Sequence, residues 1–505
     1  MEIRLIKNLK NYQKFVIAIG CFISIYSLYF FLENKIYLIG SDAFYYLSIG
    51  DSILQNGEIR NISSIPSQAV KTPQNGIAFV HVILSLIGLS AKGKVLFIVI
   101  INYLLYLSGV YPLWLIARWS GLRTGLPLVA LLSVYLGAWH IYRINLLAIN
   151  DGIFNSLTLW LVYLVINLVR NEDEIESISF SKLNINKMFI IFLFVIVLIQ
   201  FRLNAALVIS SALISSIAIR DYRASVFLMT VCTLLLISFS SIYLFVEVIR
   251  LENVGENYFV PMFKAVSVSN LKLQLWKILP RLVAGLSGLT NPIGTLFFTI
   301  FPLSMMYYCI RGITERSFDK VFISVICLSG LWFTMTFQNA RFIWYIFPFI
   351  YIILLRVRKL RFIGYAFCLL VFYQSFQQFY SGFLRGPSSK YLLYLYENKI
   401  TLPKEDSLLI AANGRHLYYF FNKGSYDTTP DSENNIIIPK ELSWDLIENG
   451  SSLCISGDTP YIRSVHSQIR DMGIENGFGI QTKSLTPDLY EFEGWGLVEL
   501  TFNKD

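Results

Sequence analysis

Apolar residues run through this chain in long, nearly unbroken stretches, and charge is confined to the gaps between them. A helix needs roughly 20 such residues to cross the hydrocarbon core of a bilayer. The runs at 15–34, 93–118, 124–142, 152–170, 187–201, 203–219, 224–246, 293–311, 320–337, 342–356 and 361–380 predict about eleven membrane spans. The first follows the basic stretch "MEIRLIKNLKNYQK" and lacks a small-residue cleavage site, so it reads as an uncleaved span.

The gaps assign the sides. Every second one is basic: Arg118 with Arg123; Arg170, Lys182 and Lys187; Arg220 with Arg223; Arg311, Arg316 and Lys320; and "RVRKLR". The opposite short gaps carry Arg143, Arg202 and Arg341, one each. By the positive-inside rule the first set is cytoplasmic. The stretch 187–219 allows one long helix or two spans broken at "QFRLN". An arginine in mid-bilayer costs roughly 2.5–3.5 kcal/mol on insertion scales. Placing Arg202 at the surface removes that cost and favours two spans.

Two long loops, 35–92 and 247–292, then fall outside. The first contains "IAFVHVILSLIGL", too short to span and read as an interfacial or re-entrant helix. The second contains the amphipathic "VSNLKLQLWKILPRLVAGL". Residues 1–384 thus form a membrane domain. After 385, β-rich runs ("SLLIAA", "NIIIP", "SSLCIS", "GLVELTF") alternate with helix-like "RHLYYFFN" and "SVHSQIRDM". Residues 385–505 predict a small soluble α/β domain on the outer face.

Composition agrees with this architecture. Of 505 residues 55% are hydrophobic and 15% charged, against about a quarter charged in soluble proteins. The net charge of +9 resides in loops between spans, which is orientation and not a nucleic-acid surface. Six cysteines make no CxxC pair and four histidines are scattered, so neither a disulfide framework nor a zinc site is implied.

Ionisable residues at the membrane edge are functional candidates by default. On the outer face they are Asp42 in "YLIGSDAFYYLSIGDSI", Asp151 in "RINLLAINDGIF", Arg202, Arg281, and Arg341 in "QNARFIWY". A carboxylate there suits a general base or a metal ligand, and arginines suit a phosphate. A lipid phosphate, its tail in the bilayer, is the natural substrate. Plainer roles exist for each. Ser41 or Asp42 would cap the helix "AFYYLSIGDSIL", and Asp151 would cap the fourth span. Tyr45 and Tyr46 would be interfacial belt aromatics, and each arginine would snorkel to the headgroups. Asp51 lies about 900° of helix beyond Asp42 and forms no dyad with it.

The segments "SDAFYYLSIGDSILQNGEI", "KTPQNGIAFVHVILSLIGL", "VYPLWLIARWSGLR", "INLLAINDGIFNSLTLWLVYL" and "NARFIWYIFPFIYIILL" occur in that order. In this they resemble GT-C membrane glycosyltransferases, in the branch of protein O-mannosyltransferases and lipid A aminoarabinose transferases. The usual Asp-Glu of the first motif is here Asp42-Ala43, and "QN" replaces a second Pro or aromatic residues.

The resemblance implies inverting transfer of a sugar from a polyprenyl-phosphate donor to a glycolipid, glycan or protein. It implies Asp42 as the catalytic acidic residue and Asp151 as its partner. Arg202, Arg281 and Arg341 would hold phosphate, and Tyr45 and Tyr46 would wall the sugar site. A divalent metal between Asp42 and Asp151 is compatible with it, since members differ in needing one. The location expected for the chain is a bacterial cytoplasmic membrane. Other readings are a lipid-linked glycan flippase or an O-antigen-type polymerase. A flippase would favour internal repeats and helices broken at mid-bilayer, and the sequence has no long-period repeat.

Overall fold

The computed structural model describes residues 11–33, 35, 41–65, 68–69, 75–122, 125–137, 147–173, 182–202, 204–235, 291–337, 345–358, 360–366, 368–369, 373, 387–403, 407–412, 417–418, 421, 425–426, 429–430, 436–437, 451–486 and 495–504. The chain divides into two compact units. One comprises Met1–Phe31, Lys71–Gly76 and Val99–Gly382; the other comprises Leu32–Val70, Ile77–Ile98 and Phe383–Asp505. Parts of the first outer loop thus belong to the same unit as the C-terminal region.

The first unit is helical. Its helices include Val110–Trp119, Leu126–Gly137, Asn150–Asp173, Lys182–Phe201, Asn204–Ala218, Tyr222–Leu235, Asn291–Thr314, Phe318–Phe337 and Phe347–Arg356. Ala91–Trp119 and Asn150–Val169 are long and apolar enough to cross a membrane, and several other apolar helices are shorter. Phe347–Arg356 is apolar on every face and buried from Phe347 to Leu355, as a helix at the centre of a bundle must be. Its end is fixed by Arg356, whose Nε donates to the Ser120 carbonyl at 3.0 Å. Gly121, at φ +94°, makes room: a Cβ there would lie 2.5 Å from that Nε. Elsewhere the unit exposes Phe22, Ile25, Leu104, Ile217, Met229, Leu303 and Phe362, the apolar exterior expected of a surface in contact with lipid.

The stretch 182–218 is two helices. Lys182–Phe201 stops one residue before Arg202, and the next begins at Asn204. Phe201 packs flat against Gly76, where a Cβ would meet the ring at 2.7 Å. Asn204 opens the second helix, and asparagine favours such positions because its short side chain competes well for local backbone donors.

The second unit is built on a six-stranded sheet. Its strands are β1 (Arg60–Asn61), β2 (Ser64–Ile65), β3 (Gln68–Ala69), β4 (Leu408–Ala411), β5 (Ser425–Tyr426), β6 (Thr429–Pro430), β7 (Ile436–Ile437), β8 (Ser452–Asp458), β9 (Phe478–Ser484) and β10 (Trp495–Lys504). The large sheet has the order β2-β5-β4-β8-β10-β9; β1 with β3 and β6 with β7 form separate antiparallel pairs. β2, β5, β4 and β8 run parallel, and β10 is antiparallel to β8 and to β9.

Period-two alternation gives this sheet two apolar faces. Leu453, Ile455, Leu500 and Phe502 pack with Tyr461, Ile462, Val465 and Ile469 of the helix Thr459–Glu475. Cys454, Leu409 and Leu497 point the other way, onto Tyr391, Leu392 and Leu395 of the helix Pro387–Glu397. Thr459–Glu475 starts sharply because Asp458 accepts a hydrogen bond from the Tyr461 amide at 2.9 Å.

Candidate functional site

Two of the sequence candidates meet in the helical unit. Asp151 lies in the first turn of Asn150–Asp173, where the exposed amides and helix dipole favour a carboxylate. The turn before it is tied down by Asn102, whose Nδ2 donates to the Leu147 carbonyl at 2.7 Å. Arg202 stands at the helix break and contacts Asp151, Nη2 to Oδ2, at 2.5 Å. Both are buried, at 4% and 8% exposure. A guanidinium and a carboxylate removed from water are tolerable only together, since either alone would carry the full desolvation cost. Close by, Phe154 of the Asp151 helix packs edge-on against Tyr345, with ring centroids 5.4 Å apart. Asn204 faces the Tyr345 hydroxyl.

Asp42 belongs to the other unit. It sits in the first turn of Ser41–Asn56, inside the helix, and is half-buried. Tyr45 and Tyr46 follow at the three- and four-residue spacings that share a helix face with it. They are half-buried, pack edge-on against each other at 5.5 Å, and rest on Ile49 and Ala78. Arg281 and Arg341 lie outside the described residues. Among the described residues no group of three His, Cys, Asp or Glu side chains converges. Asp151 has an Arg202 nitrogen on its carboxylate, a poor setting for a divalent ion.

Sequence reasoning missed a second polar cluster, which surrounds Asp51. Lys94 Nζ reaches Asp51 Oδ1 and Ser85 Oγ, each at 2.9 Å, and the Tyr418 hydroxyl donates to Asp51 Oδ2 at 3.3 Å. His81 is fully buried beside it, on the outer-loop helix Gly76–Leu86. Burial first, and the Lys94 charge second, push the His81 pKa down to about 3. The one available signal was Lys94 itself, a charge at the edge of an apolar run.

No protein-family model and no curated protein matches the sequence. Solved structures do match in fold, among them two of oligosaccharyltransferases. One is the oligosaccharyltransferase AglB from Archaeoglobus fulgidus, in complex with an inhibitory peptide and a dolichol-phosphate. It has 10% identity and a TM-score of 0.51, over 94% of this chain and 73% of that one. The other is an Archaeoglobus fulgidus oligosaccharyltransferase complex with Zn and sulfate, at the same identity and TM-score, over 97% and 73%. The chain therefore shares the fold of these two structures, a largely helical body with a small sheet.

Proposed function

We propose that this chain is a membrane glycosyltransferase that moves a sugar from a polyprenyl-phosphate donor to a glycan, glycolipid or protein at the outer face. The observation that carries the reading is the placement of Asp42. It lies in the first turn of the helix that follows the first apolar helix, with Tyr45 and Tyr46 one turn on, in a chain of GT-C fold.

In this reading Asp42 takes the proton from the acceptor as its oxygen or nitrogen attacks the anomeric carbon. The bond from that carbon to the phosphate oxygen breaks, configuration inverts, and the phosphate leaves with the electron pair. Charge builds on the leaving oxygen, so cations placed in advance lower the barrier. Arg202 serves there, oriented by Asp151, together with Arg281 and Arg341. The dolichol-phosphate named with the first structural relative supports a lipid-phosphate donor, and its peptide supports a protein acceptor. The membrane is a bacterial cytoplasmic membrane, with residues 385–505 outside.

The test supplies radiolabelled polyprenyl-phosphate sugars and a membrane acceptor fraction to purified wild type and Asp42→Asn. A positioned base contributes roughly 10²–10⁴-fold, so transfer by the mutant falls by at least about a hundredfold with donor binding retained. Undiminished transfer by the mutant would reduce Asp42 to a helix-end residue and sink this mechanism.

A further inference from the structure

We infer that Asp51, Lys94 and Tyr418 are positioning residues: a latch that fixes the helix Ser41–Asn56, and through it Asp42, to the C-terminal part of its unit. This rests on the reading of Asp42 as the base. The three residues come from chain segments far apart, Lys94 standing 43 positions and Tyr418 367 positions after Asp51. Asp51 follows Asp42 on the same helix, about 13.5 Å along its axis. Both of its carboxylate oxygens are engaged, one by an ammonium and one by a phenol. Lys94 is 5% exposed and is held from its other side by Ser85.

The remainder of the helix is anchored in the same manner. Ser48 Oγ donates to Asn61 Oδ1 at 2.8 Å, and Ser52 Oγ donates to the Glu58 carbonyl at 3.0 Å. At Gly50 the helix comes so close to Gly76–Leu86 that a Cβ would lie 2.8 Å from the His81 Cβ and 3.0 Å from the Ala78 carbonyl. Burial and the Asp51 charge raise the Tyr418 pKa, which keeps the phenol a donor. A helix merely buried by its apolar face would not require an ion pair closed by a residue from the C-terminal region. Such a connection transmits that region's position to the first turn of the helix, where misplacement by about 1 Å costs on the order of a hundredfold in rate.

The experiment uses the full chain in lipid nanodiscs and reads two quantities. One is amide hydrogen exchange over 42–52; the other is kcat and donor KM for glycosyl transfer. Tyr418→Phe removes only one hydroxyl and preserves the fold. The lost bond to the Asp51 carboxylate is long, at 3.3 Å, and therefore weak for a bond to a charge; a loss of about 1 kcal/mol predicts roughly fivefold faster exchange in this helix. A comparable fall in kcat with unchanged donor KM is expected alongside it. Asp51→Asn acts in the same direction more strongly, while Lys94→Arg retains most of the rate. Unchanged exchange in Tyr418→Phe would overturn the latch. Faster exchange with an unchanged kcat would overturn its positioning role. The exchange result decides the latch even if wild type transfers none of the sugars supplied, an outcome that would count against the glycosyltransferase reading instead.

Discussion

Among the described residues, two buried ion pairs solve the same problem with different partners. In the helical unit Asp151 meets Arg202 at a helix break, beside the packed rings of Phe154 and Tyr345. In the second unit Asp51 meets Lys94, and the pair is completed by Tyr418 and Ser85. A guanidinium has five donors in a rigid fork, more than one carboxylate can use. An ammonium is a compact point charge with three donors, two of which are accounted for by Asp51 and Ser85. Under the proposed function the first arrangement suits an arginine that holds a phosphate; the second suits a joint.

That contrast is sharpest when one carboxylate is removed from each. Asp151→Asn leaves the Arg202 charge buried without its counter-ion, which costs about 3–5 kcal/mol. Thermal unfolding in detergent reads this loss. Adding Arg202→Met to the same chain restores most of the stability, because the uncompensated charge goes with it, but transfer stays low. In the second unit Asp51→Asn costs less, because a lysine left without its counter-ion can give up its proton, which an arginine cannot, and Ser85 still accepts from it. Equal losses at the two sites would abolish the distinction.

The sequence made one of these clusters half visible and hid the other. Asp151 and Arg202 each stood out as charges at the ends of apolar runs. Their pairing did not, because 51 residues separate them and nothing local specifies which carboxylate an arginine will find. Asp51 was set aside for pointing away from Asp42 on a helix. The direction was right, but what lay in that direction was fixed by tertiary packing.

The fold divides similarly. Long apolar runs announce helices because length and hydropathy act locally, and the break at Arg202 followed from the cost of charge in lipid. β8, β10 and Thr459–Glu475 also follow segments readable as alternating or helical. β2 does not: two residues of the first outer loop join β5, and so short a strand exists only because a partner edge is present. β9 was also missed, since "FGIQTKS" is polar and largely exposed, and its pairing is dictated by β10.

The Asp51 cluster also has a pH signature. His81 has a pKa near 3 when folded and about 6.5 when unfolded. As pH falls below 6.5 the unfolded chain takes up a proton that the folded chain refuses. Stability therefore declines from pH 6.5 towards pH 3, by up to about 1.4 kcal/mol per pH unit. Comparing thermal unfolding of wild type and His81→Leu between neutral pH and about pH 4 isolates this slope. An identical slope in both proteins would show that the histidine does not enter folding uncharged.

The most discriminating substitution for the joint lies at Ser85. Ser85 Oγ accepts one hydrogen bond from Lys94 and touches neither Asp51 nor Tyr418 through any bond that defines the latch. Ser85→Ala leaves the ammonium with Asp51 and costs about 1.5–3 kcal/mol if that donor stays dry, because hydrogen bonds to charged groups are stronger than neutral ones. If water replaces the hydroxyl, the cost falls well below that range. Lys94 is nearly excluded from solvent, so the larger figure is expected, still short of the loss at Asp151. Thermal unfolding of Ser85→Ala beside Tyr418→Phe ranks the two supports. A loss from Ser85→Ala below that from Tyr418→Phe would mean that the lysine has access to water and that the phenol, not the buried ammonium, dominates the joint.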